Sequence, residues 1–151
     1  MSSMAIRDDI CSGESYFVAE IRSLKRILDA VDTGGMVFCF IDEILRGTNT
    51  VERIAASSSV LKNLESKNVI CVAATHDVEL TRILAGSFDN WHFREQITES
   101  SVIFDYRLCS GPATGRNAIA LLERMGFESA VVNRANAAVR HFEDTGLWKQ
   151  S

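Results

Sequence analysis

Six consecutive apolar residues, 36–41, are followed directly by two carboxylates, Asp42 and Glu43. A short apolar run without alternation is typical of a strand that is buried on both faces of a parallel sheet. Ligands of such sheets bind beyond the carboxyl ends of the strands, so the two acids are expected where chemistry takes place. An ordinary core strand followed by an acidic turn has the same local pattern, and the dipeptide alone favours that interpretation.

Length, composition and charge indicate one soluble α/β domain: the chain has 151 residues, of which 46% are hydrophobic and 24% charged. No apolar stretch reaches membrane-spanning length and the first residues lack a signal pattern, which predicts a cytoplasmic segment without membrane contact. The net charge of −4 argues against a duplex-binding surface, because phosphate contacts need clustered Lys and Arg. Four widely spaced cysteines indicate neither zinc nor disulfides.

Hydrophobic periodicity predicts the order of helices and strands. The expected elements are a helix over 15–31, a strand over 36–41, a helix over 51–66, a strand over 69–74, a short helix ending near Gly86, a hairpin of 91–97 with 102–108, and helices over about 116–125 and 128–143. Asn49 with Glu52 resembles a capping box for the second helix, and Asp77 is expected to cap the third. The two apolar strands form a βαβ unit, so their functional ends face the same side.

Three polar clusters bear on function. Ser12-Gly13-Glu14-Ser15 stands at the start of the first helix, where free backbone amides and the helix dipole favour an anion. Asp42 and Glu43 have the arrangement of a Walker B element, in which one acid holds Mg²⁺ and the next polarises the attacking water. His76 follows the second strand and can hydrogen-bond a terminal phosphate. Each cluster alone is more often structural, but the three in this order favour a nucleotide site.

These segments resemble the carboxy-terminal ATPase domain of the MutS mismatch-repair proteins, a branch of the ABC-type ATPases. Residues 8–20 resemble the family's signature, residues 42–50 its Walker B and D-loop, and residues 74–80 its switch-histidine motif. The hairpin and the final helices also match the family's ending. The resemblance covers nearly all of residues 1–151 and implies a partial P-loop NTPase domain with a parallel βαβ core, an antiparallel hairpin and two C-terminal helices.

The resemblance implies a composite ATP site shared by two protomers of a homodimer. Asp42 would hold Mg²⁺, Glu43 would orient water, and His76 would sense the γ-phosphate. The remaining implied residues are the signature group that binds the partner's nucleotide, Ser12, Gly13 and Ser15, and the D-loop group at the dimer interface, Thr48, Asn49 and Thr50. ATP and Mg²⁺ would bind the full-length protein rather than this segment. Hydrolysis would drive conformational change on DNA that upstream domains hold.

The chain also departs from the family's pattern. No Gly-x-x-x-x-Gly-Lys-Ser/Thr loop occurs in it, so it resembles a fragment that begins after Walker A and is expected to be inactive alone. Tyr16, Leu45 and residues 51–53 differ from the family's usual residues, which suggests a divergent branch that acts in mismatch repair or in related DNA processing. The strand that precedes Walker A is missing as well, which predicts an open edge at 69–74 that the hairpin or a neighbouring chain fills.

Two other interpretations remain open. The first is a non-catalytic dimerisation or interaction fragment whose final helices pack against a partner. The second is another ABC-type DNA-processing ATPase of the structural-maintenance kind, which Arg46-Gly47-Thr48 fits poorly.

Overall fold

The computed structural model describes residues 2–3, 16–97, 102–115 and 117–148. The elements in chain order are β1 (Ser2–Ser3), α1 (Tyr16–Asp32), β2 (Val37–Asp42), α2 (Thr50–Leu64), β3 (Val69–Ala74), α3 (Val78–Ile83), β4 (Trp91–Ile97), β5 (Val102–Ser110), α4 (Ala118–Arg124) and α5 (Ser129–Thr145). They fall into two compact units, Met1–Ala113 and Thr114–Ser151. Most helices and strands lie within two residues of the predicted ranges. The helix α3 ends at Ile83 rather than near Gly86, because the chain continues as a turn over 84–87, and β1 was not predicted.

The first unit contains a parallel sheet in the order β1-β2-β3. The strands β2 and β3 pair in register along their whole length, from Val37 opposite Val69 to Asp42 opposite Ala74. Since α2 joins them, the predicted βαβ unit is confirmed. Both strands therefore end at the same edge of the sheet, where the acidic pair and His76 follow.

One face of this sheet packs against α1, α2 and α3. The buried apolar residues from these helices, from β2 and from the turn that follows it form one cluster: Leu24, Ile27, Val31, Cys39, Ile41, Ile44, Leu45, Leu61, Leu64, Leu80 and Leu84. Full burial of such a side chain contributes about 1.5–3 kcal/mol. This cluster fixes α1 and α2 against the strands whose ends carry the polar residues.

The expectation that both strands are buried on both faces is wrong. Alternate residues of β2 and β3 point away from the helices, and Phe38, Phe40, Ile70 and Val72 are each about half exposed, between 48% and 55%. The apolar runs extend over both faces of the strands, but α1 and α2 cover only one of them. The two apolar runs predicted the strands correctly, but they did not reveal that the described chain covers only one face of the sheet.

The hairpin forms a separate two-stranded sheet in the first unit. Its strands β4 and β5 pair antiparallel from Trp91 opposite Ser110 to Ile97 opposite Val102, as predicted, with an irregularity between Phe93 and Glu95. Within the described residues β3 pairs with β2 alone. The prediction that the hairpin fills the open edge of β3 is therefore wrong, and filling by a neighbouring chain stays a prediction.

The second unit consists of α4 and α5. Gly126 separates them in a left-handed conformation (φ +82°), which glycine adopts without steric cost, and its amide donates to the carbonyl of Glu123 at 3.1 Å. Past α5, the ring of Trp148 stacks on that of Phe142 with the ring centroids 4.4 Å apart. No helix in the described parts of the chain is long and apolar enough to span a membrane.

Candidate functional site

Glu43 and His76 meet at the shared carboxyl edge of β2 and β3. The Glu43 amide donates to the carbonyl of Ala74 at 3.1 Å, which ties the residue after β2 to the end of β3. The side chains of Glu43 and His76 lie 3.1 Å apart, between Oε1 and Nε2. A carboxylate can only accept, so a hydrogen bond across this contact requires a proton on Nε2. The His76 side chain is 93% exposed and that of Glu43 only 26%, which leaves the imidazole accessible to a ligand.

Asp42 is the last residue of β2 and is exposed beside this pair. Among the residues that the structure describes, no three His, Cys, Asp or Glu side chains form a cage for a metal ion. A cation at Asp42 would therefore take most of its ligands from water and phosphate oxygens. Mg²⁺ favours such coordination, with one or two protein carboxylates, so the residues present fit it.

The turn over residues 43–47 connects β2 to the start of α2 through two left-handed residues. Glu43 has φ +53° and Leu45 has φ +56°, which is unfavourable for residues other than glycine. Ile44 and Leu45 are nevertheless buried in the core, and the hydroxyl of Ser57 in α2 donates to the Ile44 carbonyl at 3.4 Å. Packing and hydrogen bonds therefore hold the backbone that orients Glu43.

Gly47 closes this turn against α1, and we expect Gly47→Ala to destabilise the protein. A Cβ at this position would lie 3.0 Å from Cβ of Phe17, which is tighter than carbon atoms usually pack, so Phe17 would have to shift. Overpacking of this kind costs about 1–3 kcal/mol in the free energy of unfolding, measured by urea denaturation. Gly35→Ala is the matched control, because nothing lies within 4 Å of a Cβ there. Equal effects of the two substitutions would contradict the packing described here.

Arg53 of α2 and Asp77 hold the segment that carries His76. The guanidinium donates from Nε to Oδ2 at 2.7 Å and from Nη2 to Oδ1 at 2.6 Å, a bidentate pair with both side chains largely buried. The hydrogen bond with Asp77 raises the pKa of Arg53. Asp77 stands at the predicted N-cap position of α3, but its side chain makes no capping hydrogen bond. The capping prediction is wrong in that respect, because the carboxylate is engaged by Arg53.

A double-mutant cycle on Arg53→Ala and Asp77→Ala should give a coupling of about 1–3 kcal/mol in the free energy of unfolding, because the pair is bidentate and shielded from water. The pair Lys67 and Asp32 is the control, with a 2.9 Å contact between side chains that are 37% and 61% exposed. We expect its coupling to stay below about 1 kcal/mol. Equal coupling in the two cycles would contradict a special role for Arg53.

The residues predicted to form the D-loop, Thr48, Asn49 and Thr50, lie at the start of α2. Asn49 is the N-cap, and its Oδ1 accepts from the Glu52 amide at 3.0 Å, as predicted. The Glu52 carboxylate accepts from the Thr48 hydroxyl at 3.0 Å instead of completing a capping box on Asn49. Asn49 and Thr50 are exposed and Thr48 is half-buried. Their position at a dimer interface stays a prediction.

The predicted signature residues Ser12, Gly13 and Ser15 lie outside the described residues. Their predicted contact with a partner's nucleotide therefore remains a prediction. What the structure describes is the helix that follows them directly, α1, which begins at Tyr16.

Cys39 and Cys71 are register partners in β2 and β3, and both are free thiols. Burial, with a smaller contribution from the hydrogen bond to Cys39, raises the pKa of Cys71 to about 12. A thiol of this kind is not a ready metal ligand or nucleophile. Both cysteines therefore act as small apolar residues, as predicted.

The fold and the site define an α/β protein in which neighbouring parallel strands end in an acidic pair and a histidine. Residues 1–143 match the family model described as MutS domain V. The chain is 32% identical over 145 residues to "DNA mismatch repair protein MutS 2" of Haloarcula marismortui, covering 93% of this chain and 15% of that protein. It is 35% identical over 132 residues to a MutS of Natronomonas pharaonis, covering 85% of this chain and 15% of that protein.

A third relative, a "DNA mismatch repair protein MutS" of Thermus thermophilus, is 27% identical over 130 residues, which cover 86% of this chain and 16% of that protein. The chain belongs to the MutS family. It spans 15% to 16% of the length of these relatives, within the region that the family model calls domain V.

Proposed function

We propose that this chain supplies the acidic pair, the switch histidine and the signature of a composite ATP site in a MutS-like, ABC-type ATPase. The observation that carries the proposal is the 3.1 Å contact between Glu43 and His76 at the carboxyl ends of adjacent parallel strands. A water-polarising carboxylate and a phosphate-sensing imidazole need this proximity, because both act on the same terminal phosphate. Membership of the MutS family supports the assignment.

Each residue has a definite part in this proposal. Asp42 provides the protein carboxylate for Mg²⁺, which when bound neutralises charge on the phosphate oxygens. Glu43 accepts a hydrogen bond from the attacking water and orients it. His76 donates from its exposed ring to the terminal phosphate or to Glu43, and so distinguishes the nucleotide-bound state from the empty state. Ser12, Gly13 and Ser15 reach the nucleotide held by the partner protomer.

The parent protein works as a homodimer that couples ATP hydrolysis to conformational change on DNA, in mismatch repair or in related DNA processing. The relatives named above carry the description of mismatch-repair proteins, which supports this role. This segment has a net charge of −4, so other domains of the parent make the DNA contacts.

The test compares the isolated 151 residues with the full-length protein. Phosphate affinity in this class comes mainly from Walker A amides and the Walker A lysine, which this chain lacks. We expect the full-length protein to hydrolyse ATP in a Mg²⁺-dependent reaction, and the isolated segment neither to bind ATP in calorimetry nor to release phosphate. Hydrolysis by the segment alone at the parent's rate, with Glu43 required, would contradict a composite site.

A second candidate is an interaction module, and the exposed apolar side chains of the second unit favour it. Met125, Phe127, Leu147 and Trp148 are between 49% and 71% exposed, as expected for a surface that a partner covers. The two functions are compatible in one dimeric ATPase. A module that acts by interaction alone would retain its cellular function after Glu43→Gln, whereas the ATPase would not.

A further inference from the structure

Glu20 is a carboxylate inside the core of the first unit. It lies on the buried face of α1 with Leu24 and Ile27, and only 4% of its surface is exposed. Glutamate is almost never buried so fully without a charged partner, because desolvation of the ionised carboxylate is costly. Replacement of buried ionic groups by apolar residues of similar size is often neutral or stabilising. Its presence therefore calls for a specific role.

The carboxylate reaches out of α1 to the turn that follows the acidic pair. Oε1 of Glu20 accepts a hydrogen bond from the Leu45 amide, and Oε2 is buried without a hydrogen-bond partner among the described residues. Burial raises the pKa of Glu20, and the backbone amides of Leu45 and Arg46 with the Arg46 guanidinium oppose the rise. These groups all belong to the turn over residues 43–47.

This turn needs an external restraint. Its left-handed residues Glu43 and Leu45 each store about 1–3 kcal/mol of backbone strain. The amide of Leu45, one of the two strained residues, donates to the Glu20 carboxylate. Without that acceptor the buried Leu45 amide would be unpaired. Rotation of the turn toward ordinary φ values would then lower its free energy, because it relieves the backbone strain. Such a rotation would move Glu43, two residues earlier.

We propose that Glu20 is a positioning residue that fixes the turn over residues 43–47 and thereby keeps the Glu43 carboxylate beside His76. The inference rests on the proposed function, in which Glu43 orients the attacking water. Because α1 begins directly after Ser15 and contains Glu20, this helix joins the residue proposed to serve the partner's nucleotide to the turn that serves its own. In this proposal Glu20 acts through the Leu45 amide and not by contact with substrate or metal.

The experiment uses the full-length protein with three substitutions. Glu20→Ala removes the acceptor, and Glu20→Gln keeps an oxygen that accepts from the Leu45 amide. Ser23→Ala is the matched control, because Ser23 is equally buried on α1 but its hydroxyl accepts from Arg26 of the same helix, at 2.7 Å. For each variant, kcat and KM for ATP are measured together with the melting temperature, and turnover is expressed per folded molecule.

We expect Glu20→Ala to lower kcat about 10- to 100-fold with little change in KM, because a misplaced catalytic group costs rate more than binding. Glu20→Gln should keep kcat within about threefold of the parent's, because the glutamine oxygen still accepts from the Leu45 amide. Ser23→Ala should leave kcat unchanged. Equal kcat losses in Glu20→Ala and Ser23→Ala, or a Glu20→Ala protein that is less stable but fully active, would overturn the inference.

Amide hydrogen exchange keeps the test decisive if Glu20→Ala does not fold. In the parent protein and in Glu20→Gln, the Leu45 amide should be protected to the same degree as core amides of β2. Rapid exchange at Leu45 in the parent protein would overturn the inference. The variant Glu43→Gln distinguishes failure of the role of Glu20 from failure of the proposed function. If it loses turnover while Glu20→Ala does not, only the role of Glu20 fails, and if it keeps turnover, the proposed function fails and the inference fails with it.

Discussion

The full-length protein with Glu43→Gln is expected to bind ATP as tightly as the parent and to hydrolyse it at least about a hundredfold more slowly. Glutamine has nearly the shape of glutamate, and its amide oxygen can still accept from Nε2 of His76, so the geometry of the pair persists. What disappears is the negative charge that polarises water. Nucleotide binding depends on other groups and should remain.

The measurement is single-turnover phosphate release together with the dissociation constant for ATP. Glu123→Gln is the control, since it changes the charge equally on the exposed surface of α4 in the second unit. Turnover of Glu43→Gln within about twofold of the parent would remove Glu43 from the reaction. A loss of ATP affinity as large as the loss of turnover would assign Glu43 to binding instead.

Much of the first unit follows from short-range patterns in the sequence. Apolar runs that stop at Asp42 and at Thr75 predict two strands, and the helix between them requires that both strands point the same way. From that parallel arrangement alone, Glu43 and His76 must lie at one edge, and their side chains are 3.1 Å apart. This part of the candidate site could be predicted because strand direction, rather than side-chain detail, brings the residues together.

Contacts between distant positions could not be predicted in this way. Arg53 and Asp77 are 24 residues apart, and neither stands in a local pattern that identifies the other as its partner. The left-handed conformations of Glu43 and Leu45 had no signal either, because no glycine occupies those positions.

The position of Glu20 in the sequence does indicate a special role. The apolar face of the first helix follows Phe17, Ile21, Leu24 and Leu28, and Glu20 lies three residues after the first of these and four before Leu24. A carboxylate at that position on a buried stripe is an exception that indicates a specific partner. The partner itself, a backbone amide 25 residues later in the chain, depends on the tertiary fold.

The exposure of one face of the sheet could not be predicted from the sequence. Phe38, Phe40, Ile70 and Val72 have the composition of core residues but are half exposed. An apolar side chain indicates that its position favours burial, but it does not indicate which element covers it. The chain spans 15% to 16% of the length of these relatives.

The second large effect concerns Ser15, which we expect to serve the nucleotide site of the partner protomer. The full-length protein with Ser15→Ala should lose hydrolysis as a homodimer, although its own acidic pair and His76 are intact. The Glu43→Gln homodimer should also lose hydrolysis, because each chain then damages its own nucleotide site while its Ser15 remains intact. In a heterodimer of the two variants, both defects fall in one site and the other site is complete. The two defects therefore complement each other only if each site is built from two chains.

The most direct test is ATP turnover by that heterodimer, purified through a different affinity tag on each chain. We expect about half of the parent's turnover per dimer, because one of two symmetry-related sites is whole. A heterodimer of Asp42→Asn with Glu43→Gln is the control and should stay inactive, since each chain then damages its own site. Turnover of the Ser15→Ala and Glu43→Gln heterodimer no higher than that of the two homodimers would contradict the composite site.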